Sequence, residues 1–371
     1  MRHFFITGAT GAVGSAFLKR ITARQERATL LIRAETPVKA QDRLKNHVSL
    51  CGIPRHTAEH IDAACGDLYK PNLGLSRTAY EALSRTCTHI VHCAGNVHMN
   101  LPLPEARRQT LAMTQGVLGL LASSTAARKM EFVSTVGVAG HTAGEVPEDW
   151  LVHAREYRNS YEAAKAEGED IVRAKAAAGL PITVHRPSMV VGDSRSGETI
   201  SFQVFYYLCE FLSGSRSYGM LPRVRGMRLD IIPADYVAAV LDVSSTDEGA
   251  YAPILHACSG KAGSIELEEL IQRVRQCFLK NGRKLPPIRT LPISIFRMVL
   301  RLMKPLLPPK QQRALAALPY FLSYLKEEQC FGNTFTRHYM KKGGFDLPDV
   351  HGYLETVLQY YVSTHRQHRT N

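Results

Sequence analysis

The sequence predicts an α/β protein built on a doubly wound parallel sheet, with a smaller, mainly helical lobe toward the C-terminus. From the N-terminus onward, short apolar runs alternate with segments of helical spacing, as in folds with a parallel sheet. The first apolar run passes directly into a glycine-rich turn and a helix. The length of 371 residues is enough for two lobes.

The glycine-rich turn follows the first predicted strand, and its glycines have the spacing G-x-x-G-x-x-G. Such a turn lets the backbone approach a pyrophosphate, and the helix behind it offers free N–H groups and the positive end of its dipole. An ordinary strand-to-helix turn is the alternative. Its position at the end of the first strand favours a bound dinucleotide. The predicted contacts are Thr7, Gly8, Thr10, Gly11, Ala12, Val13 and Gly14.

The second predicted strand, residues 28–33, ends in Arg33 rather than in a carboxylate. A carboxylate at this point binds the ribose 2′-hydroxyl of NAD, whereas an arginine accommodates the 2′-phosphate of NADP. Arg33 therefore favours NADP(H), with NAD the less favoured cofactor because Glu35 lies two residues further on. A solvated arginine at a strand end is the structural alternative.

Further strands and helices follow in alternation. A helical pattern over 37–61 precedes a short strand over 63–68, and a strand over 88–95 stops at small residues where a nucleotide could lie against the backbone. A helix of small residues over 111–127 leads into a strand over 130–135.

The strand over 130–135 ends in two hydroxyls, Ser134 and Thr135. Ligands of open α/β folds bind at the carboxyl ends of the strands. Downstream, Tyr161 and Lys165 are four residues apart and share one face of a helix. A nearby ammonium favours phenolate and lowers the tyrosine pKa, which suits a tyrosine that exchanges a proton during hydride transfer. A surface Tyr–Lys pair is the alternative, but this pair follows both the glycine turn and the hydroxyls.

The second half of the chain is predicted to form the smaller lobe. Residues 181–192 read as the sixth strand and the turn after it, residues 193–226 as the start of the lobe, and residues 227–237 as a return to the sheet, with Asp235 capping a helix. A last helix over 350–364 is expected to pack back on the lobe. The predicted division is a nucleotide-binding domain of the Rossmann type over 1–195, completed by 227–258, and a lobe formed by 196–226 and 259–371.

The formal charge of +13 indicates anionic partners. Residues 270–326 contain twelve cations and no Asp or Glu, and residues 293–307 within them form an amphipathic pattern. We interpret this stretch as a docking face for an acidic partner or an anionic membrane surface, with a solvated basic face as the alternative. No pattern typical of nucleic-acid readers is present, so a nucleic-acid partner is not expected.

No metal site is predicted: His56 and His60 could share a helix face, but no further ligand accompanies them. The eight cysteines form no C-x-x-C pair, so reduced thiols are expected. No apolar run approaches the roughly 20 residues that span a bilayer, and the N-terminus has no signal-peptide pattern. We expect a cytoplasmic protein.

These motifs resemble the extended short-chain dehydrogenase/reductase superfamily, and within it the branch of thioester reductases and fatty acyl-CoA reductases. The resemblance covers residues 4 to 258. The superfamily motifs are the glycine turn, Gly66-Asp67-Leu68, Val133-Ser134-Thr135 and the Tyr161/Lys165 pair. Two blocks point to the reductase branch, Arg186 to Glu198 and Asp230 to Val237, and Phe331 to Thr334 is a weaker echo.

The resemblance implies roles for individual residues. Tyr161 would donate the proton, Lys165 would hold the nicotinamide ribose, and Thr135, with Ser134 as the fallback, would bind the substrate oxygen. Asp67 and Leu68 would border the adenine, and Ala94 and Gly95 the adenine-side ribose. Tyr161 itself, Pro187, Ser188 and Met189 would be further cofactor contacts. This chain departs from the pattern at Ser188, where the branch often has glycine, and at Met113 and Thr114, where an asparagine is common.

The resemblance implies an NADPH-dependent reductase that converts an acyl thioester to the aldehyde or alcohol. The thioester would arrive in trans on coenzyme A or on an acidic acyl or peptidyl carrier protein, because the sequence shows no adenylation or carrier domain. An alcohol or hydroxysteroid-type dehydrogenase and a sugar-nucleotide epimerase remain alternatives with the same catalytic residues. A non-catalytic nucleotide-sensing protein is the alternative from another class.

Overall fold

A computed structural model describes residues 2–97, 101–247, 253–303 and 329–370. Its centre is a sheet of seven parallel strands in the order β3-β2-β1-β4-β5-β7-β12. The predicted doubly wound α/β fold is confirmed. The strands of this sheet are β1 (His3–Thr7), β2 (Arg27–Ile32), β3 (Ile61–Cys65), β4 (His89–His92), β5 (Lys129–Val133), β7 (Ile182–His185) and β12 (Ile254–Leu255).

The strand order reverses between β1 and β4, which lie side by side in the middle of the sheet. Ligands of open α/β sheets bind at this reversal, outside the carboxyl ends of the strands. β1 is buried along its whole length and carries Phe4, Phe5 and Ile6 into the layers on both faces, as expected for a central parallel strand. The glycine turn leaves the end of β1 and therefore lies at the reversal.

Helices cover both faces of the sheet and build a second core beyond it. α4 packs along α5 on one face, and α1 packs along α7 on the other. The helices are α1 (Ala12–Ala23), α2 (Pro37–Leu50), α3 (Arg77–Thr86), α4 (Leu103–Ser123), α5 (Ser160–Ala177), α6 (Val204–Leu212), α7 (Ala234–Thr246), α8 (Gly260–Gly263), α9 (Leu267–Lys280), α10 (Ile293–Met303), α11 (Thr334–Lys342) and α12 (Val350–Thr370).

The second core joins α6, α9 and α12. Phe205 and Tyr206 from α6 meet Leu270 and Phe278 from α9, and Tyr361 from α12 closes the cluster. The expectation that the last helix packs back on this part of the chain is confirmed. Among the described residues, no helix has the length and apolarity to cross a membrane, and no group of three or more His, Cys, Asp or Glu could hold a metal ion. All eight cysteines are free thiols.

The sixth strand of the sheet, predicted within 181–192, is confirmed as β7. The segment predicted as the turn after it contains a further strand, β8 (Met189–Val191), which does not join the main sheet. Pro187 lies between the two strands and has no N–H to donate to a ladder. The predicted return over 227–237 is wrong, because β11 (Ile231–Pro233) pairs with β8 outside the main sheet. The seventh place is taken by β12, which the sequence pattern did not reveal.

The remaining strands form two-stranded pairs. They are β6 (Gly144–Val146) with β15 (Gln329–Phe331), β9 (Met220–Pro222) with β14 (Arg289–Leu291), and β10 (Arg228–Leu229) with β13 (Ile265–Glu266). In the basic stretch over 270–326, α10 confirms a helix from 293, while 304–326 lie outside the described residues.

Three other expectations need correction. The helix predicted over 37–61 ends at Leu50, and the helix predicted over 111–127 runs from Leu103 to Ser123. Asp235 does not cap α7, because the helix already begins at Ala234. Its carboxylate instead accepts hydrogen bonds from the backbone N–H and the hydroxyl of Ser194, at 2.8 and 2.6 Å.

Candidate active site

The glycine turn packs so closely that two of its glycines have no room for a side chain. Gly8 has φ +72°, and a Cβ there would lie 2.4 Å from the backbone nitrogen of Ala94 at the end of β4. A Cβ at Gly14 would lie 2.3 Å from the carbonyl oxygen of Gly8. These approaches hold the turn against the two central strands, where the sheet order reverses.

The start of α1 is open for an anion. Gly11 is the N-cap and offers no side-chain cap, and the first turn contains no acidic residue. The N–H groups of the first turn therefore keep their capacity to bind an anion, with the positive end of the helix dipole behind them. Thr10 is exposed, Gly11 and Val13 are half-buried and Ala12 is buried. This arrangement fits a pyrophosphate.

Gly14→Ala is expected to lower the melting temperature and abolish dinucleotide binding, because its Cβ would overlap the carbonyl of Gly8. Gly11→Ala is the matched control. The atom nearest to a Cβ at Gly11 is 3.4 Å away, so its melting temperature should stay at the wild-type value. Thermal unfolding and nucleotide titration of both variants check this, and equal unfolding temperatures would contradict it.

Two buried histidines support the turn from behind, and the sequence pattern did not single them out. His47 Nε2 lies 3.0 Å from the carbonyl oxygen of Ala9 and 3.2 Å from the hydroxyl of Ser15. Burial lowers the pKa of His47, so the ring donates to Ala9 as a neutral group. The hydroxyl of Thr7 lies 2.7 Å from Nδ1 of the second, His92. The side chain of Thr7 therefore bonds within the sheet.

The predicted adenine-side residues lie at the ends of β2 and β3. Arg33 is exposed, and its carbonyl oxygen accepts a hydrogen bond from a second exposed arginine, Arg43 of α2. Glu35 forms an ion pair with Lys39.

The Gly66-Asp67-Leu68 turn closes the end of β3. The N–H of Asp67 donates to the carbonyl of Leu73 at 2.7 Å, and its carboxylate accepts from the N–H of Tyr69 at 3.0 Å. Leu68 packs partly buried against the core below.

Thr135 and Tyr161 meet through their hydroxyls. Thr135 begins a short 3-10 turn over Val136–Ala139, and its Oγ1 accepts from the N–H of Gly137 at 3.1 Å. Burial raises the pKa of Tyr161 to about 12, and the hydrogen bond with Thr135 opposes that rise. The prediction that Lys165 lowers the Tyr161 pKa is wrong, because burial dominates. At neutral pH the phenol is therefore protonated and can donate a proton.

Lys165 lies one helical turn beyond Tyr161 and is 6% exposed. Its ammonium donates to the carbonyl of Val133 at 3.0 Å, at the end of β5. Burial lowers its pKa to about 8, and charge interactions with Cys93 and Glu169 oppose the change. A Cβ at Gly95 would lie 3.3 Å from this ammonium. Gly95 therefore lies directly against the ammonium group of Lys165.

Ser134 points into a different, buried network. Its hydroxyl donates to Glu169 at 2.7 Å, and Glu169 is paired with the fully buried Arg186. Arg186 Nη1 also lies 3.2 Å from Nε2 of His256, whose pKa burial lowers to about 3. These contacts give no support to the fallback role of Ser134 at a substrate. No pattern in the sequence identified the Glu169–Arg186 pair, although Arg186 begins one of the two blocks that point to the reductase branch.

The turn between β7 and β8 lies beside the Thr135 turn. The carbonyl of Pro187 accepts from the N–H of Val136 at 3.1 Å. Ser188 is 7% exposed and its N–H donates to Ala257 at 3.1 Å, while the N–H of Met189 donates to Asp230 at 3.3 Å. The structure thus brings this segment to the same edge as Thr135.

Met113 and Thr114, where the resemblance departs from the family pattern, lie farther away. Both are buried on α4, and a Cβ at Gly168 of α5 would lie 3.2 Å from the Thr114 hydroxyl.

The loop Asp193–Glu198, which suggested the reductase branch, joins three helices. Ser194 bonds to Asp235 of α7, and Glu198 lies 3.4 Å from the ammonium of Lys19 on α1. A Cβ at Gly197 would lie 2.5 Å from the carbonyl of Thr356 on α12. The loop therefore connects the glycine-turn helix with the last helix.

The profile of an NAD-binding family, described as male sterility protein, matches residues 6–241, which is more than half of the chain. The chain belongs to this male sterility protein family. The predicted resemblance to the reductase branch of the superfamily is thereby confirmed, and a nicotinamide cofactor is indicated.

Several proteins similar to this chain are named as reductases or as reductase domains. The chain is 28% identical over 257 residues to the L-2-aminoadipate reductase large subunit of Penicillium chrysogenum, a match covering 64% of this chain and 18% of that protein. The terminal R domain from the myxalamid PKS-NRPS biosynthetic pathway superposes with a TM-score of 0.81 at 23% identity, over 99% of this chain and 91% of that one.

The reductase (R) domain of a nonribosomal peptide synthetase from Mycobacterium tuberculosis superposes with a TM-score of 0.76 at 21% identity, over 97% of this chain and 91% of that one. At these identities the two superpositions show a shared fold. The match spans only 24% and 18% of the length of two of the curated relatives.

Proposed function

We propose that this protein is an NADPH-dependent oxidoreductase that reduces an acyl thioester to the aldehyde or the alcohol. The observation that carries the proposal is the meeting of Thr135, Tyr161 and Lys165 at the sheet edge that also holds the glycine turn. The relatives named as reductases support the same reaction class.

The glycine turn and the open start of α1 would hold the pyrophosphate of the cofactor. Asp67 and Leu68 would border its adenine, Ala94 and Gly95 the adenine-side ribose, and Lys165 the nicotinamide ribose. The segment Pro187 to Met189 would border the nicotinamide. When bound there, the reduced nicotinamide supplies the hydride that the carbonyl carbon accepts.

Thr135 and Tyr161 would act on the carbonyl oxygen. Their hydroxyls can donate hydrogen bonds to this oxygen as it gains negative charge, which stabilises the transition state. Tyr161 then transfers its proton to the oxygen, giving a hemithioacetal. When the carbon–sulfur bond breaks, the hydroxyl proton returns to the Tyr161 phenolate, the aldehyde is released, and the leaving thiolate takes a proton from water. The raised pKa of Tyr161 keeps the phenol protonated for this transfer.

The test mixes the purified protein with NADPH and a series of acyl thioesters, and follows the loss of the reduced nicotinamide absorbance together with the release of free thiol. We expect both signals with at least one thioester. Turnover of a ketone, an alcohol or a sugar nucleotide, with none for any thioester, would instead establish one of the other superfamily activities. Nucleotide binding without any turnover would identify a sensing protein.

Arg33 and Arg43 support the choice of NADPH over NADH. Both are exposed: Arg33 follows β2, and Arg43 of α2 donates to its carbonyl, beside the place where the 2′-phosphate would lie. Replacing both with alanine is expected to raise KM for NADPH by about tenfold or more and to leave KM for NADH unchanged, because only NADPH carries the extra phosphate. Arg77→Ala, at an arginine 91% exposed on α3, is the control. An equal rise for both cofactors would contradict NADP selectivity.

We propose that the thioester arrives on coenzyme A or on an acidic carrier protein. The described part of the acid-free stretch, residues 270–303, includes Arg297 and Arg301 on α10 beside the exposed side chains of Met298 and Leu302. A basic face of this kind complements either carrier. The test uses one acyl group attached to pantetheine, to coenzyme A and to a carrier protein. The values of kcat/KM at two salt concentrations decide whether coenzyme A or a carrier protein is the preferred carrier.

We further propose the division of labour predicted from the sequence. Residues 1–195 with 227–258 would bind the nucleotide, and residues 196–226 with 259–371 would bind the acyl group. The separate core of α6, α9 and α12 supports this division.

A further inference from the structure

A glutamine from the C-terminal part of the chain reaches the candidate active site. β15 pairs in parallel with β6, which follows the Thr135 turn, and Gln329 is the first residue of β15. Its amide nitrogen donates to the carbonyls of Gly140 at 3.0 Å and of Thr142 at 2.7 Å. Its amide oxygen accepts from Nη2 of Arg158 at 2.7 Å. Gln329 lies outside the residues that the family profile matches.

Arg158, which contacts Gln329, also pairs with a carboxylate at the start of α5. The side chains of Arg158 and Glu162 are 1% and 0% exposed and lie 3.4 Å apart. The carboxylate of Glu162 also accepts from the backbone N–H of Arg158 at 3.0 Å. Glu162 directly follows Tyr161, so the Arg158–Glu162 pair fixes the helical turn that carries the tyrosine.

The same pair contacts the turn that carries Thr135. A Cβ at Gly137 would lie 3.2 Å from Cγ of Glu162, and the N–H of Gly137 donates to the Thr135 hydroxyl. Gln329 therefore touches both sides of the Thr135–Tyr161 contact. It binds the end of the Thr135 turn through Gly140 and Thr142, and the start of the Tyr161 helix through Arg158.

We propose that Gln329 is a positioning residue that sets the placement of Thr135 relative to Tyr161. Only an uncharged amide of this length donates to two carbonyls and accepts from a guanidinium at once. A carboxylate could accept from Arg158 but could not donate to the carbonyls. An ammonium could donate to the carbonyls but could not accept from Arg158. The kinetic consequence rests on the proposed reductase function, whereas the structural consequence does not.

The first experiment compares Gln329→Leu with wild type in the 371-residue chain. We expect kcat with the best thioester to fall about tenfold, because displaced catalytic groups lose rate steeply, while KM for NADPH stays unchanged. Gln359→Leu is the matched control. The amide oxygen of Gln359 accepts from Asn281 at 3.0 Å on the surface of α12, so kcat should be unchanged. An unchanged kcat in Gln329→Leu would overturn the proposal.

A second measurement does not depend on turnover. Hydrogen exchange of the amides over 136–142 should be faster in Gln329→Leu and in Gln329→Glu than in wild type, because both variants lose the donor to Gly140 and Thr142. Exchange as slow as wild type in both would overturn the proposal, whatever the substrate. If exchange is faster in these variants but the wild-type protein reduces no thioester, the positioning role of Gln329 is supported and the proposed reductase function is wrong.

A double-mutant cycle tests the route through Arg158. If Gln329 acts on Tyr161 through this arginine, the loss of kcat in Gln329→Glu should be smaller than in Gln329→Leu, since the carboxylate retains the guanidinium. In the Arg158→Lys background, which lacks the guanidinium fork, the two Gln329 variants should differ less. If both Gln329 variants lose the same kcat, and if their effects add fully to that of Arg158→Lys, then Gln329 does not act on Tyr161 through Arg158. Thermal unfolding identifies any variant that fails to fold. If Gln329→Leu does not fold, Gln329→Glu takes its place in the kinetic comparison.

Discussion

Tyr161→Phe is expected to lower kcat for thioester reduction by about 10²- to 10⁴-fold, the usual contribution of a positioned proton donor. The substitution removes only the hydroxyl that meets Thr135. The affinity for NADPH should stay within about twofold of wild type, because no cofactor phosphate depends on this group. Steady-state kinetics and fluorescence titration of the cofactor measure the two quantities separately.

Tyr236→Phe is the matched control for this variant. Tyr236 is 4% exposed on α7, and its hydroxyl makes no hydrogen bond to any residue the structure describes. Its removal should leave kcat at the wild-type value. A kcat for Tyr161→Phe equal to that of the control would refute the assignment of Tyr161 as proton donor.

Lys165→Met is expected to stabilise the protein while it removes most of the activity. Burial lowers the pKa of Lys165 from 10.5 to about 8, which corresponds to about 3 kcal/mol spent on keeping the buried ammonium charged. The variant also loses the hydrogen bond to Val133, worth about 1 kcal/mol. The free energy of unfolding at neutral pH should therefore rise by about 2 kcal/mol. The loss of kcat/KM should be at least about tenfold, since the variant lacks the cation that we propose to hold the ribose.

The stability difference between Lys165→Met and wild type depends on pH. Below pH 8 the lysine is charged in both the folded and the unfolded chain, so the burial penalty is complete. Between pH 8 and 10.5 only the unfolded chain holds the proton, and wild-type stability from this group rises with pH. The advantage of Lys165→Met should therefore be full below pH 8 and disappear above 10.5. Denaturant unfolding across this range measures it.

Lys175→Met is the control for Lys165→Met. Lys175 lies on the same helix, but is exposed in its last turn, so the substitution should not stabilise the fold at any pH. A wild-type kcat/KM in Lys165→Met would show that the lysine does not hold the cofactor.

The sequence predicted the parts of the site that are encoded locally. The glycine turn is recognisable because its spacing alone sets the backbone approach at Gly8 and Gly14. Thr135 ends a strand, and Tyr161 and Lys165 share a helix face, so sheet topology brings them to one edge without further information. The prediction of Arg33 as a cofactor contact likewise depends only on its place after β2, and it stays a prediction.

The contacts that the sequence did not predict join residues far apart in the chain. His47 supports Ala9 from another helix, and Arg186 meets both Glu169 and His256 inside the protein. No local pattern identifies such partners, because each depends on how finished elements pack. The same reason explains the wrong pKa direction for Tyr161. Its helical spacing from Lys165 was visible, but the burial that dominates its pKa was not.

The contact between Arg158 and Gln329 also has a consequence for biosynthesis. These residues are 171 positions apart in the sequence, and translation proceeds at roughly 5–20 residues per second. The helix of Tyr161 therefore leaves the ribosome about ten seconds or more before the glutamine that braces it. During that interval the nascent chain can form β1, the glycine turn and α1, but not the complete catalytic contact. In the proposed function, the nucleotide site is thus synthesised before the glutamine that positions the catalytic groups.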